Sequence, residues 1–278
     1  MQSRRSTKVD SRTSKQFEFI ELVLAYEGLL TNKRLRETFG ITSVQASRII
    51  SAYRNAYPRN ASPAKGEGRG RYIPTPRFTP GIAALSIDRY FRAVANNRVN
   101  IEMEEVRQDF THMEPKCFRI LHGVTAINGA VQVTYRSMNN PAGVERILHP
   151  KAFVFAGRRW HLRAFDEATG EHRDFNLARI STAEPVEKDK PTPLDSDWEE
   201  YVILQLRPHP RLNSAQEQLI RDELFNGAAG RQVKTRRALV TYVLRDLEVA
   251  ENPDIQRPPE YQLYLSRIEE CPEKVGHG

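Results

Sequence analysis

Ser43, Val44, Gln45, Ser47 and Arg48 stand almost side by side, and each offers a short hydrogen-bonding group, a small apolar one or a guanidinium. Such side chains match the edges of base pairs: Arg pairs with guanine, Gln with adenine, and Val touches a thymine methyl. They lie opposite Ala46, Ile49, Ile50 and Tyr53, which recur at helical spacing and form an inner face. A solvated helix would carry Glu and Lys outside; short polar groups suit close approach to another surface. Thr42 and Gln45 complete an S/T-x-x-E/Q capping pattern, so the helix starts there, and its N-terminus with Thr42 suits a phosphate. Lys33, Arg34 and Arg36 precede it and are expected to face a phosphate backbone. Arg69 and Arg71, in the glycine-rich stretch GEGRGR, are expected to reach phosphate or the minor groove. Arg4, Arg5, Lys8 and Arg12 form a basic arm whose contacts would depend on salt.

A second group lies in the middle of the chain. Along a strand at 159–165, Trp160, Leu162 and Ala164 share one face, and His161, Arg163 and Phe165 the other. The first face is core. The second places cations beside an aromatic ring, which suits stacking on a base and pairing with phosphate. Tyr135 and Ser137 share a strand face, Arg173 and Phe175 another, and Arg179 closes the run. If these converge, with one of His149, His161 and His172 facing the pocket, they form a site for an anionic ligand. The alternative is structural pairing of the arginines with Glu145, Glu171 and Asp174.

The elements that must position these groups follow from periodicity and turn chemistry. Phe17, Ile20, Val23 and Leu24 make one helical stripe with Gly28 as its stop; Leu35 and Phe39 line a second short helix ended by Gly40. With the helix from Thr42 and a Gly/Pro/Arg-rich hairpin returning through Arg71–Ile73, residues 1–80 read as a winged helix-turn-helix. Residues 81–114 read as a helical linker. Residues 115–186 read as a short helix followed by strands at Val131–Ser137, Val144–Leu148, Ala152–Ala156, Trp160–Phe165 and Arg173–Leu177, a small five-stranded β-barrel. A polar, proline-containing linker follows at 187–197, and 196–278 carries a strand at Tyr201–Leu206 with helices at Ser214–Phe225 and Arg236–Leu247. The fold class is α+β, multidomain.

Charge sharpens this division. The chain of 278 residues is 39% hydrophobic and 28% charged, with net charge +7. Residues 1–80 hold 15 Lys+Arg against 6 Asp+Glu, and the rest 27 against 29, so the cationic character belongs to the helix-turn-helix. Cys117 and Cys271 are isolated, and no apolar run reaches membrane-spanning length, which points to a reducing, cytoplasmic setting with no membrane partner. No enzyme is expected. Glu102, Glu105 and Asp109 could in principle hold Mg²⁺ but lack a second carboxylate cluster, and no G-x-x-x-x-G-K-[ST] segment cradles phosphate. No metal and no cofactor are expected.

The stretch from Val133 to Ile180 resembles the WYL domain. Tyr135, the His149-Pro150 turn, WHL at 160–162 and RDFNLARI at 173–180 carry the resemblance. With NKRLRETFGITSVQASRIISAYRNAYPRN in front, nearly the whole chain resembles the WYL transcriptional regulators that accompany BREX and CBASS phage-defence loci. The resemblance implies a homodimeric repressor on an inverted-repeat operator in double-stranded DNA. It also implies an Sm-like barrel sensing a nucleotide or oligonucleotide, through Tyr135, Ser137, His149, His161, Arg163, Arg173, Phe175 and Arg179. His161 stands where the family has Tyr, keeping a ring for stacking and adding a titratable group. A C-terminal dimerisation unit at 196–278 follows by analogy, while Leu219, Ile220, Leu224 and Phe225 are equally explained as that unit's own core. The other reading is an adaptor for RNA or single-stranded nucleic acid without operator specificity.

Overall fold

A computed structural model describes residues 11–64, 70–94, 106–187 and 191–271. Arg4, Arg5, Lys8, Arg69, Glu102 and Glu105 lie outside the described residues. The chain divides into two compact units, with the boundary between Val106 and Arg107.

The first unit is built round α1 (Ser11–Tyr26). Phe17, Phe19, Ile20, Leu22, Val23 and Leu24 are all buried, so α1 is enclosed on every side rather than along one stripe. It packs with Leu35 of α2 (Asn32–Phe39) and with Ala46, Ile50 and Tyr53 of α3 (Ser43–Ala56). Thr31 caps α2 by accepting from the Arg34 N–H, and Gly40 ends it at φ 59°, the left-handed position that glycine adopts without strain. β1 (Leu30–Thr31), β2 (Ala61–Pro63) and β3 (Arg71–Pro74) form an antiparallel sheet in the order β1-β3-β2, which is the wing. β1 is too short to register as a strand in sequence. α4 (Ile87–Val94) packs Tyr90 and Val94 into the same core. Glu21, which breaks the apolar run of α1 in sequence, is fully buried. Its carboxylate accepts from the backbone N–H groups of Gly81, Ile82 and Ala83 at 2.7–2.9 Å, clasping the segment after the wing onto α1.

The second unit holds two sheets. α5 (Pro115–Ala126) covers one face of β4 (Ala130–Tyr135), β5 (Val144–Ala156), β6 (Arg159–Asp166), β7 (Glu171–Asn176) and β8 (Ile180–Val186), ordered β7-β6-β5-β4-β8. Five strands are present, with one change of membership. Val144–Leu148 and Ala152–Ala156 are one strand, bent by a register shift between Pro150 and Ala152, and β8 is the fifth. The expected barrel is not closed: among the described residues no ladder joins edge strands β7 and β8. Cys117, Leu121 and Val124 of α5 share a core with Leu148, Leu162, Phe175, Leu177 and Ile180, so a helix fills the space over which the sheet would otherwise curl shut.

Residues 106–114 are irregular rather than helical. Asp109 accepts from the Thr111 N–H at 2.8 Å, a local turn that competes with helix. The Phe110 N–H and the Thr111 hydroxyl are bonded to the backbone of Arg158 and Trp160 in the β5–β6 hairpin.

The C-terminal sheet is β10-β9-β12-β11, from β9 (Tyr201–Pro208), β10 (Arg231–Arg236), β11 (Val249–Ala250) and β12 (Leu263–Glu270). α6 (Ser196–Glu199) leads into it, and α7 (Ser214–Phe225) and α8 (Val240–Asp246) pack on it. Ile220 and Phe225 belong to its core and Leu224 packs partly against them, whereas Leu219 is exposed.

Candidate functional site

The first unit exposes the stripe along α3, and the second holds a cleft beside His161. In the first, Thr42 and Gln45 form a complete capping box: the Thr42 hydroxyl accepts from the Gln45 N–H at 3.3 Å, and the Thr42 N–H donates to Gln45 Oε1 at 2.9 Å. This starts α3 at Ser43 and turns Ala46, Ile50 and Tyr53 inward. Ser43, Val44, Gln45, Ser47 and Arg48 all stay exposed, with Val44 at 60%. Ser51, Ala52 and Asn55 continue the stripe, and the shallow concavity along it measures about 530 Å³. The cap occupies one lone pair of Gln45 Oε1, which leaves its amide N–H groups and a second lone pair for a partner.

The basic residues of the preceding helix separate. Lys33 and Arg36 are exposed, Lys33 lying 3.7 Å from Glu37 one turn on. Arg34 turns inward: its guanidinium lies 2.7 Å from Glu27 and over the Phe19 ring, which removes it from a phosphate-facing surface. Arg71 is half-buried on β3, opposite Thr31, and Arg12 is exposed on α1.

Asn32 is a residue that sequence reading missed. Its N–H donates to the Gly70 carbonyl of the wing at 3.1 Å. Its side-chain amide donates to the Ser43 carbonyl at 3.0 Å and to the Ser47 hydroxyl at 2.8 Å, and accepts from the Ser43 hydroxyl at 3.2 Å. Asn at the first position of a helix carries no sequence signal for such a bridge.

In the second unit, β6 pairs Leu162 with Phe175 and Ala164 with Arg173, whereas His161 faces Asn176 and Arg163 faces Asp174. Strand alternation therefore puts Arg173 and Phe175 on the core side of the sheet, opposite to His161 and Arg163. The expected convergence of Arg163 with Arg173 does not occur. Phe175 is buried edge-on against Tyr135 at 5.0 Å, and Arg173 sits exposed at the rim. Ser137 accepts from the Asn140 N–H in a turn. His149 is buried, its ring nitrogens 2.7 Å from Thr192 and Glu167.

The face bearing His161, Arg163 and Phe165 is not solvated either. The chain from Thr192 to Asp195 crosses it, and Asp195 takes a two-point contact from Arg163 at 2.8 and 2.9 Å. Burial alone would raise the Asp195 carboxyl, but the Arg163 guanidinium outweighs it and holds the acid below its ordinary value. Asp174 lies 3.5 Å from Arg163 and accepts from the Tyr242 hydroxyl of α8 at 3.0 Å. Arg163 is thus committed inside the protein, and the segment read as a linker is fastened to the sheet.

What remains open is a cleft of about 390 Å³ lined by Ala156, Gly157, Arg158, Arg159, His161, Tyr242, Arg245 and Asp246. His161 is buried with its ring 5.3 Å from that of Tyr242, and its Nδ1 has no hydrogen-bond partner. Burial lowers its pKa, opposed by Asp174 and assisted by Arg159 and Arg179, so the imidazole is held neutral. Of the residues expected to bind a ligand, His161 lines this cleft and Arg179 lies within electrostatic reach of it. Arg158, Arg159, Tyr242 and Arg245, which line the cleft with His161, are residues that sequence reading did not single out. No group of His, Cys, Asp and Glu suited to a metal occurs among the described residues, and no helix among them is long and apolar enough to cross a membrane.

Comparison with known proteins places these units. Residues 12–96 match the BrxR transcriptional regulator winged helix-turn-helix domain, 117–185 the WYL domain, and 201–271 the BrxR transcriptional regulator C-terminal dimerization domain. The chain is 31% identical to the DNA-binding transcriptional repressor CapW of Pseudomonas aeruginosa, over 94% of this chain and 91% of that protein. It is 27% identical to CapW of Stenotrophomonas maltophilia, over 97% and 94%. Among solved structures, proteasome accessory factor B/C of Arthrobacter aurescens aligns with a TM-score of 0.27 at 13% identity; this chain spans 92% of its own length and 44% of that one. Matched in all three of its parts, and along almost its whole length by these repressors, the chain belongs to the family of winged-helix WYL regulators of the BrxR and CapW type.

Proposed function

We propose that this protein is a homodimeric, sequence-specific DNA-binding repressor of a phage-defence operon. The observation that carries the reading is α3: a fully capped helix beside a wing, with every residue from Ser43 to Arg48 except Ala46 exposed. A helix in this setting enters the major groove with its N-terminal residues against base edges. Ser43, Val44, Gln45, Ser47 and Arg48 are the readers, and Lys33, Arg36, Arg71 and Arg69 hold phosphate. A two-fold dimer built on residues 201–271 requires an inverted-repeat operator. The effector site is the cleft at His161, Arg159, Tyr242 and Arg245, whose guanidiniums and paired rings suit an anionic ring compound such as a nucleotide or the end of an oligonucleotide. Because Tyr242, Arg245 and Asp246 of α8 line it beside the β5–β6 hairpin, an effector there would act on the sheet and the C-terminal unit together.

The test is binding of the full chain to the DNA upstream of its own gene, against random duplex and single strands, across a range of salt. Tight, sequence-dependent duplex binding supports the repressor. Equal or stronger binding of single strands would replace it with the single-strand adaptor.

A further inference from the structure

The hydrogen-bonding directions of the Ser43 and Ser47 hydroxyls are set from within the protein. Asn32 lies beside both, and its amide could in principle point either way. The Ser43 carbonyl decides. A carbonyl only accepts, so the amide atom 3.0 Å from it must be the NH₂ group. That same NH₂ donates its other hydrogen to the Ser47 hydroxyl at 2.8 Å. The amide oxygen is then left facing the Ser43 hydroxyl at 3.2 Å and takes its proton. Ser43 therefore offers the outside only lone pairs. Ser47, with a lone pair already occupied, has its proton available to donate outward. The Asn32 backbone is held in turn by the wing, through Gly70.

We propose that Asn32 is a specificity-determining positioning residue that touches no DNA. It makes Ser43 an acceptor, fitted to the exocyclic amino group of adenine or cytosine, and leaves Ser47 its proton to donate beside a single lone pair, fitted to a purine N7, guanine O6 or thymine O4. Ser43 in this state cannot hold a phosphate, which also only accepts. The inference rests on the DNA-binding reading of α3 and adds to it which base edges two of its residues select.

The experiment is selection of preferred duplexes from a randomised operator library by the full chain and by variants, with affinities for selected and random duplex measured alongside. Asn32→Ala is expected to flatten base preference at the positions that Ser43→Ala and Ser47→Ala also flatten, each by roughly tenfold. Random-duplex affinity and its salt dependence stay unchanged. In a Ser43→Ala/Ser47→Ala background, Asn32→Ala should change nothing further. Asn32→Asp is a second variant, favoured at the start of a helix. Its carboxylate only accepts, so Ser47 must turn its proton inward. The preference at the Ser47 position should then move toward amino-bearing bases, while that at the Ser43 position stays. Asn32→Ala with full base preference, or with the same loss in the serine-free background, would overturn the inference and leave the repressor reading standing. A parent chain with no preference among duplexes would overturn both.

Discussion

Arg48 is the exposed cation of the α3 stripe, and its loss should show in sequence discrimination rather than in folding. Arg48→Ala is expected to reduce the ratio of operator to random-duplex affinity by about tenfold or more, the usual scale for one guanidinium on guanine, with the thermal unfolding midpoint unmoved. Arg163 behaves in the opposite way. It and Asp195 are both buried and paired, so Asp195→Ala leaves the guanidinium with only the longer contact to Asp174 and should cost about 3 kcal/mol of stability, read by denaturant unfolding. An Asp195→Ala variant as stable as the parent would remove the strap from this account. His161 and His172 are both held below their ordinary value, chiefly by burial, with Asp174 opposing at His161 and Asp195 opposing at His172. The unfolded chain then takes up protons near pH 6.5 that the folded one resists, so their stabilisation is full above that pH and declines as pH falls below it. The unfolding midpoint should be lower at about pH 5.5 than at about 7.5, and His161→Gln should lessen the difference. The lowered carboxyl of Asp195 acts in a separate window, below its ordinary value of 3.8.

At the scale of elements, the first unit depends on a clasp that composition disguises. Glu21 sits in the apolar run of α1 and holds three backbone N–H groups beyond the wing. Replacing it with Ala leaves those donors unsatisfied and should destabilise the unit by about 3 kcal/mol or more, with exchange protection lost first at the amides of 81–83. Helix ends that carry a cap were legible in sequence, because caps are local: Thr42, Gln45, Gly40 and the α7 bounds fall where the residues put them, whereas the helix expected at Arg236–Leu247 begins only at Val240, because Arg236 ends β10 in pairing with Tyr201. The strands were less so. The bend in β5 reads as a break because Pro150 and Lys151 interrupt its alternation, and β8 was missed because its sequence, ISTAEPV, lacks alternation and contains a proline, and is held by pairing with β4.

For the molecule as a whole, the surplus of positive charge in residues 1–80 should govern the salt dependence of binding. Lys33→Ala and Arg36→Ala are each expected to reduce the slope of log affinity against log salt by about one, equally for all duplexes. Arg34→Ala should leave that slope unchanged, since Arg34 is bonded to Glu27, and should lower stability instead. Measuring the three slopes side by side separates phosphate contacts from structural ion pairs.

The sequence by itself determined the capped helix with its exposed short polar face and the location of positive charge, because these depend on the residues themselves and on neighbours within a turn or two. Tertiary structure decided which of the central cations are available. Arg163 and Arg173 are ten positions apart and looked alike, but the register of β6 with β7 put them on opposite faces, and Asp195 and Tyr242, distant in the chain, closed one of those faces. It also decided how Ser43 and Ser47 present their protons, since the amide that fixes both arrives from another helix. Side-chain alternation is local, but what lies against each face is not.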